Sequence, residues 1–183
     1  MQATALVAVD VGNARIKLGL FAGGCAAGIA EPLRTLPLGG DAPELEQITP
    51  WLAEEARDEL AWWIASVNRS AATGVIDWLS AHRPRDRITL LAAGDLPLEV
   101  RLERPDMVGI DRLVDAVAVN RLRDAGRAAV IVDVGTAITV DLVSARRCCT
   151  ARLPGKSALV TTAISGRLPR AASCNSNSPR MTR

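Results

Sequence analysis

Residues 4–21 read TALVAVDVGNARIKLGLF and residues 128–143 read AAVIVDVGTAITVDLV. In the first, an apolar, β-branched run ends in Asp10, Gly12-Asn13 is a turn signal, and Ile16, Leu18 and Leu20 alternate along the return. That is the pattern of a β-hairpin. The second stretch repeats it, with AAVIVD, a turn at Gly135 and then AITVDLV. The turn chemistry also recurs, D-V-G-N at 10–13 against D-V-G-T at 133–136. Two copies of one supersecondary unit predict a pseudo-symmetric protein of two related halves. About 120 residues lie between the two turns and only about 50 follow the second, so the second half is short.

Between the hairpins, strand signals alternate with helical ones, which predicts an α/β fold. Leu33–Leu38 carries weak strand character. Thr49-Pro50 reads as an N-cap with proline at the first helical position, opening a helix to about Leu60. Ala61–Val67 is a short apolar strand. Ala71–His82 is a helix with Val75, Ile76 and Leu79 inward, and Arg87–Leu91 is a strand. A strong helix runs from Asp111 to about Asp124, with Leu113, Ala116, Val117 and Leu122 near helical spacing and Gly126 as a C-cap candidate. Trp51, Trp62, Trp63 and Trp78 read as packing residues, and His82 as a surface residue at a helix end.

The 183 residues include 49% hydrophobic and 23% charged side chains, which excludes wholesale disorder and provides for a real core. No apolar run reaches bilayer-spanning length, and MQATALVAVD lacks a basic n-region, so the expectation is a cytoplasmic protein that engages no membrane. Charge is divided along the chain. Residues 1–141 hold all 20 acidic residues and 14 basic ones, a net −6, while residues 142–183 hold 8 basic residues and no acid, a net +8. The basic tail has no aromatic residue to stack on a base, so no nucleic acid is expected as a partner. The four cysteines, two of them adjacent, form neither a disulfide framework nor a metal-ligand spacing. Residues 170–183 are expected to be disordered.

Three segments carry candidate chemistry. In Asp10-Val11-Gly12-Asn13-Ala14-Arg15-Ile16-Lys17, a strand-end carboxylate precedes a glycine that lets a ligand approach the backbone. Arg15 and Lys17 share one face of the return strand. This suits a phosphate or Mg²⁺-phosphate site, although an ordinary turn with a capping Asp has the same string. In the second turn Asp133 ends its strand as Asp10 does, and Thr136 and Thr139 can offer hydroxyls to phosphate oxygens. Two such hairpins clamping one nucleotide's phosphates account for both strings. The third segment is Gly109-Ile110-Asp111-Arg112 at the mouth of a helix. Asp111 there is either a helix N-terminal acid or a base for an alcohol, and Arg112 either an exposed residue or a fork for a substrate carboxylate.

DVGNARIKLGLF, VGIDRLVDAVAVNR and VIVDVGTAITVDL, in this order and at these separations, resemble the type III pantothenate kinases, over roughly residues 4–145. These are small members of the actin/Hsp70/sugar-kinase superfamily. The resemblance implies an actin-like (ribonuclease H-like) α/β fold of two pseudo-symmetric halves. It also implies ATP-dependent phosphorylation of pantothenate to 4′-phosphopantothenate, the first step of coenzyme A synthesis. Residues 1–106 would form the first half, 107–145 the start of the second, and 146–183 a divergent basic tail. Asp10 to Lys17 (Asp10, Val11, Gly12, Asn13, Ala14, Arg15, Ile16 and Lys17) would bind ATP, with Asp10 near its Mg²⁺. Thr136 would touch the phosphates, and Asp133 would help hold K⁺ or NH₄⁺. Gly109, Ile110, Asp111 and Arg112 would contact pantothenate, with Asp111 as proton acceptor. A homodimer is implied.

The chain departs from the family pattern in places. Ala14 stands where Ser or Thr is usual, Leu102 where many members have a Tyr, and Cys149-Thr150 where a Gly-Gly pair precedes Ile-x-Pro-Gly. With the loss of acids after Asp141, this leads to the expectation of a C-terminally truncated or frame-shifted member with poor solubility. A non-catalytic nucleotide-binding remnant or accessory protein of the same fold is the alternative. Another sugar or acetate kinase is disfavoured by G-I-D-R at its spacing.

Overall fold

A computed structural model describes residues 4–23, 30–40, 42–53, 59–100, 104–124, 126–134, 138–144 and 160–165. The first hairpin forms as its alternation dictates: β1 (Leu6–Val11) pairs antiparallel with β2 (Arg15–Phe21), bringing Asp10 opposite Lys17 and Val11 opposite Ile16. β3 (Arg34–Gly39) adds antiparallel to β2. On the other side, β4 (Ala61–Ser66) runs parallel to β1, and β5 (Arg87–Leu90) parallel to β4. The order β3-β2-β1-β4-β5 is that of an actin-like half.

One face of this sheet carries the core. Val7, Val9 and Val11 of β1 and Ile16, Leu18 and Leu20 of β2 are all buried, with Trp62 and Ile64 of β4 beside them. They pack on Ile48 and Leu52 of α1 (Ile48–Leu52) and on Ala72, Val75, Trp78 and Leu79 of α2 (Arg69–His82). Period-2 alternation sends every second residue inward, the odd ones of β1 and the even ones of β2 and β4, and turns the others out. Trp63 is therefore 51% exposed while its neighbour Trp62 is fully buried, so the expectation of four packing tryptophans holds for Trp51, Trp62 and Trp78 only.

Local chemistry moved some boundaries. α1 opens at Ile48, one residue before the expected cap, and Pro50 is its third residue, where a missing N–H is still among the four without a helical acceptor. It stops at Leu52, Ala53 takes φ +48°, and residues 59–60 are not helical. α2 begins two residues early because the Asn68 side chain accepts from Ala71 N–H at 3.1 Å, an N-cap the pattern reading overlooked. His82 is exposed as expected, its ring stacked on Trp78.

The second unit is built on α3 (Ile110–Leu122), which lies against β4, β7 (Ala129–Val134) and β8 (Ile138–Val143). Ile110, Leu113, Ala116 and Val143 make its core. Leu122 is 58% exposed at the helix end rather than inward, and the C-cap is Arg123, three residues before Gly126. β7 and β8 form the expected antiparallel hairpin. Two strands that the periodicity did not indicate, β6 (Glu99–Val100) and β9 (Val160–Ser165), complete an order β6-β9-β8-β7. β9 runs parallel to β8, whereas β3 runs antiparallel to β2. The architecture is thus α/β and actin-like, with two halves that share a hairpin and differ in what surrounds it. No helix among the described residues is long and apolar enough to cross a membrane. The tail 170–183 and all four cysteines lie outside the described residues.

Candidate active site

A cleft of about 820 Å³ opens between the two hairpins and α3. Asp10, Gly12, Asn13, Ala14, Arg15 and Lys17 line it from the first turn, Asp111 from α3, and Asp133 and Thr139 from the second hairpin. Residues more than a hundred positions apart in sequence thus share one cavity. Val11 and Ile16 do not reach it. Both are fully buried on the core face. Thr136 lies outside the described residues.

The first turn is tight and braced from behind. Gly12 N–H donates to the Arg15 carbonyl at 3.0 Å, and Gly40 N–H to the Ala14 carbonyl at 3.0 Å. A Cβ on Gly40 would fall 2.6 Å from the Asn13 carbonyl oxygen, so only glycine fits beneath this loop. Lys17 Nζ stands 3.4 Å from Asp10 Oδ2, and both side chains are about half exposed or more. Such a pair is weak and readily reorganised by an incoming anion.

Asp111 is held at the start of α3, where the helix field favours a carboxylate. Its Oδ1 accepts from Arg112 N–H at 2.8 Å. A Cβ on Gly109 would sit 2.4 Å from that oxygen and 3.2 Å from Val67 Cγ1. Gly109 has φ −61°, which any residue adopts, so the glycine is needed for the room it leaves to Asp111 and not for its conformation.

Arg112 turns away from the cleft. Its Nε and Nη2 donate to Asp141 Oδ2 and Oδ1 at 2.9 and 2.5 Å, and the side chains are 12% and 2% exposed. Asp141 was legible only as an acid interrupting an apolar run. Asp115 was also missed, though it stands four residues after Asp111 and hence one turn along the same helix face. It lines the cleft, and its carboxyl is pushed up to about 6, first by lost hydration between the walls, then by the negative fields of Asp133, Asp111, Asp10 and Asp141. Its side chain nevertheless stays open to solvent.

Asp10, Asp111, Asp115 and Asp133 therefore face one cavity, with Lys17 and Arg15 as its cationic lining. Thr139, across the ladder from Asp133, has a buried hydroxyl without a hydrogen-bond partner among the described residues. An orphaned donor beside a glycine-lined turn and two cationic side chains fits a phosphate chain, and the excess carboxylates fit its accompanying cation. Among the described residues no three His, Cys, Asp or Glu converge closely enough to hold a metal unaided, so such a cation fits as one shared with phosphate oxygens.

The family model for type III pantothenate kinase matches residues 6–160. A type III pantothenate kinase of Moorella thermoacetica is 30% identical over 142 residues, covering 76% of this chain and 55% of the relative. One from Rhodopirellula baltica is 31% identical over 163 residues, covering 76% and 57%. One from Oleidesulfovibrio alaskensis is 57% identical over 60 residues, covering 32% and 23%. The chain spans about half the length of the curated relatives that it matches along most of its sequence. With a match across most of its residues, a hairpin-repeat α/β fold and the three motifs gathered at one cleft, the chain belongs to the type III pantothenate kinase family.

Proposed function

We propose that the cleft phosphorylates pantothenate, transferring the γ-phosphoryl group of ATP to its primary hydroxyl to give 4′-phosphopantothenate. The observation that carries this is the convergence of Asp10's turn, Asp111 and the Asp133–Thr139 pair on one cavity. In the reaction, Asp111 accepts the hydroxyl proton, the freed oxygen forms the new bond to phosphorus, and the bond to the ADP oxygen breaks. Phosphoryl transfer demands mainly positioning and charge neutralisation. Lys17, Arg15 and the backbone N–H groups of Asn13 and Ala14 serve the triphosphate, with Gly12 giving it room to approach, joined by the Thr139 hydroxyl and by Thr136. Asp10 would hold Mg²⁺ through the nucleotide, Asp133 would hold K⁺ or NH₄⁺, and these ions supply the remaining positive charge when bound. Asp111 faces pantothenate from the cleft wall, with Gly109, Ile110 and Arg112 behind it as its support.

We further read residues 1–106 as the first half, 107–145 as the start of the second and 146–183 as a divergent tail. Family resemblance supports a cytoplasmic homodimer without nucleic-acid or membrane partners. Ala14 favours a second reading, a nucleotide-binding protein without turnover, because it lines the cleft with a methyl group and no hydroxyl. The test is ATP- and K⁺-dependent phosphorylation of pantothenate by the purified chain. Turnover that Asp111→Asn lowers by about 10²–10⁴-fold is the expected result. ATP binding with no pantothenate-dependent turnover would transfer the function to the second reading.

A further inference from the structure

The buried Arg112–Asp141 pair joins two parts of the site that sequence keeps 29 residues apart. One edge of the guanidinium, Nε and Nη2, meets both oxygens of one carboxylate, the two-point geometry that Arg provides and Lys does not. Asp141 lies on β8 two residues from Thr139, and by strand alternation it shares Thr139's face of the hairpin. Meanwhile the backbone N–H of Arg112 holds Asp111 Oδ1 at 2.8 Å. A single residue therefore grips the second hairpin with its side chain and Asp111 with its main chain. With 2% exposure, Asp141 has no route to a ligand.

We propose that Asp141 is a positioning residue. Through Arg112 it fixes the first turn of α3, and with it the Asp111 carboxylate, against Asp133 and Thr139. The Arg112 fork is thereby a clamp within the protein, and a substrate carboxylate is received elsewhere on the wall. The kinetic part of the proposal rests on the pantothenate kinase reading, whereas the structural part does not.

The experiment has two arms, applied to Asp141→Asn and to Arg112→Lys in the full chain. Amide hydrogen exchange reads the clamp without turnover. Exchange at residues 110–114 and 138–143 should quicken by about tenfold or more while α2 keeps its protection. Unchanged exchange at those residues overturns the clamp. So does uniform loss of protection in both variants, because the pair would then serve the whole fold. Kinetics read positioning: kcat should fall by about tenfold or more, with KM for pantothenate within about twofold. A KM raised about tenfold by Arg112→Lys at unchanged kcat would return the fork to the substrate. If the unsubstituted chain shows no turnover, the pantothenate kinase reading fails, and the exchange arm alone decides the clamp.

Discussion

The first hairpin, β1–β2, and the second, β7–β8, share the sequence pattern of their entering strands, yet have opposite surroundings. Aligning Asp10 with Asp133 sets Val7, Val9 and Val11 against Val130, Val132 and Val134. The first three are 0%, 2% and 0% exposed, and the second three 63%, 59% and 72%. β1 lies between β2 and β4 with two helices over its valines, while β7 is an edge strand paired with β8 alone among the described residues. Like local patterns thus give like entering strands, β1 and β7, but burial comes from whatever packs across them. The cleft face behaves differently: Asp10 and Asp133 both reach the cavity, because the pleat of β1 and β7 turns them away from the valines. The chemistry of the site is local to each hairpin, whereas its rigidity is not.

Each hairpin accordingly has its own brace, Gly40 beneath the first turn and the Arg112–Asp141 pair on β8 of the second. The sharpest way to break the comparison is Gly40→Ala. Its Cβ would meet backbone atoms of Asn13 and Ala14 at 2.6 and 2.7 Å, and backbone cannot swing aside as a side chain can. A cost of about 3 kcal/mol is expected, at the upper end of ordinary overpacking. Chemical denaturation would report it, together with weakened ATP binding at the distorted turn. A variant as stable as the parent would show that the first turn has slack.

Next in size is a matched pair of valines. Val9→Ala should destabilise by about 2 kcal/mol, from lost burial and the cavity left behind. Val132→Ala, at the equivalent place in β7, should lie within about 0.5 kcal/mol of zero. Equal losses would mean that β7's outer face is covered in solution. The same face is an apolar surface on an unpaired edge, so Val132→Lys should raise the concentration at which the protein aggregates.

Much of this was legible in sequence, and what was hidden has a common cause. Both hairpins, β4, β5 and the bodies of α2 and α3 follow from period and turn residues, which are local properties. Trp63 was misjudged because adjacent strand residues face opposite ways and only one face of the sheet is covered. Asp10, Lys17, Asp111 and Asp133 could be read as site residues because their strings carry a turn or a helix start. Arg112 could not be oriented, since its partner Asp141 comes from another element and nothing in G-I-D-R specifies it. The room that Gly109 leaves for Asp111 was likewise invisible until the side chain was placed.

The smallest effect reports on both hairpins together. Asp115 lies on α3 between them and feels Asp10 from one and Asp133 from the other, with its carboxyl raised to about 6. A carboxyl raised above its unfolded value binds more protons in the native state, so its presence costs stability as pH rises. The cost is absent below about 4, grows between 4 and 6, and is complete above that. Asp115→Asn should therefore stabilise the protein at pH 7.5 and leave it unchanged at pH 4. Solvent screens an accessible carboxyl, which holds the gain to under about 1 kcal/mol. Melting temperatures of the two proteins across this range would check it, and a pH-independent difference would refute it. Asp133 ranks before Asp10 among the charges acting on Asp115. Asp133→Asn should consequently lower the Asp115 pKa more than Asp10→Asn does, as followed by carboxyl-carbon NMR titration. If neither substitution moves it, the two turns do not face one cleft in solution. If only Asp133→Asn does, the second hairpin governs the electrostatics of α3 although the first has the firmer core.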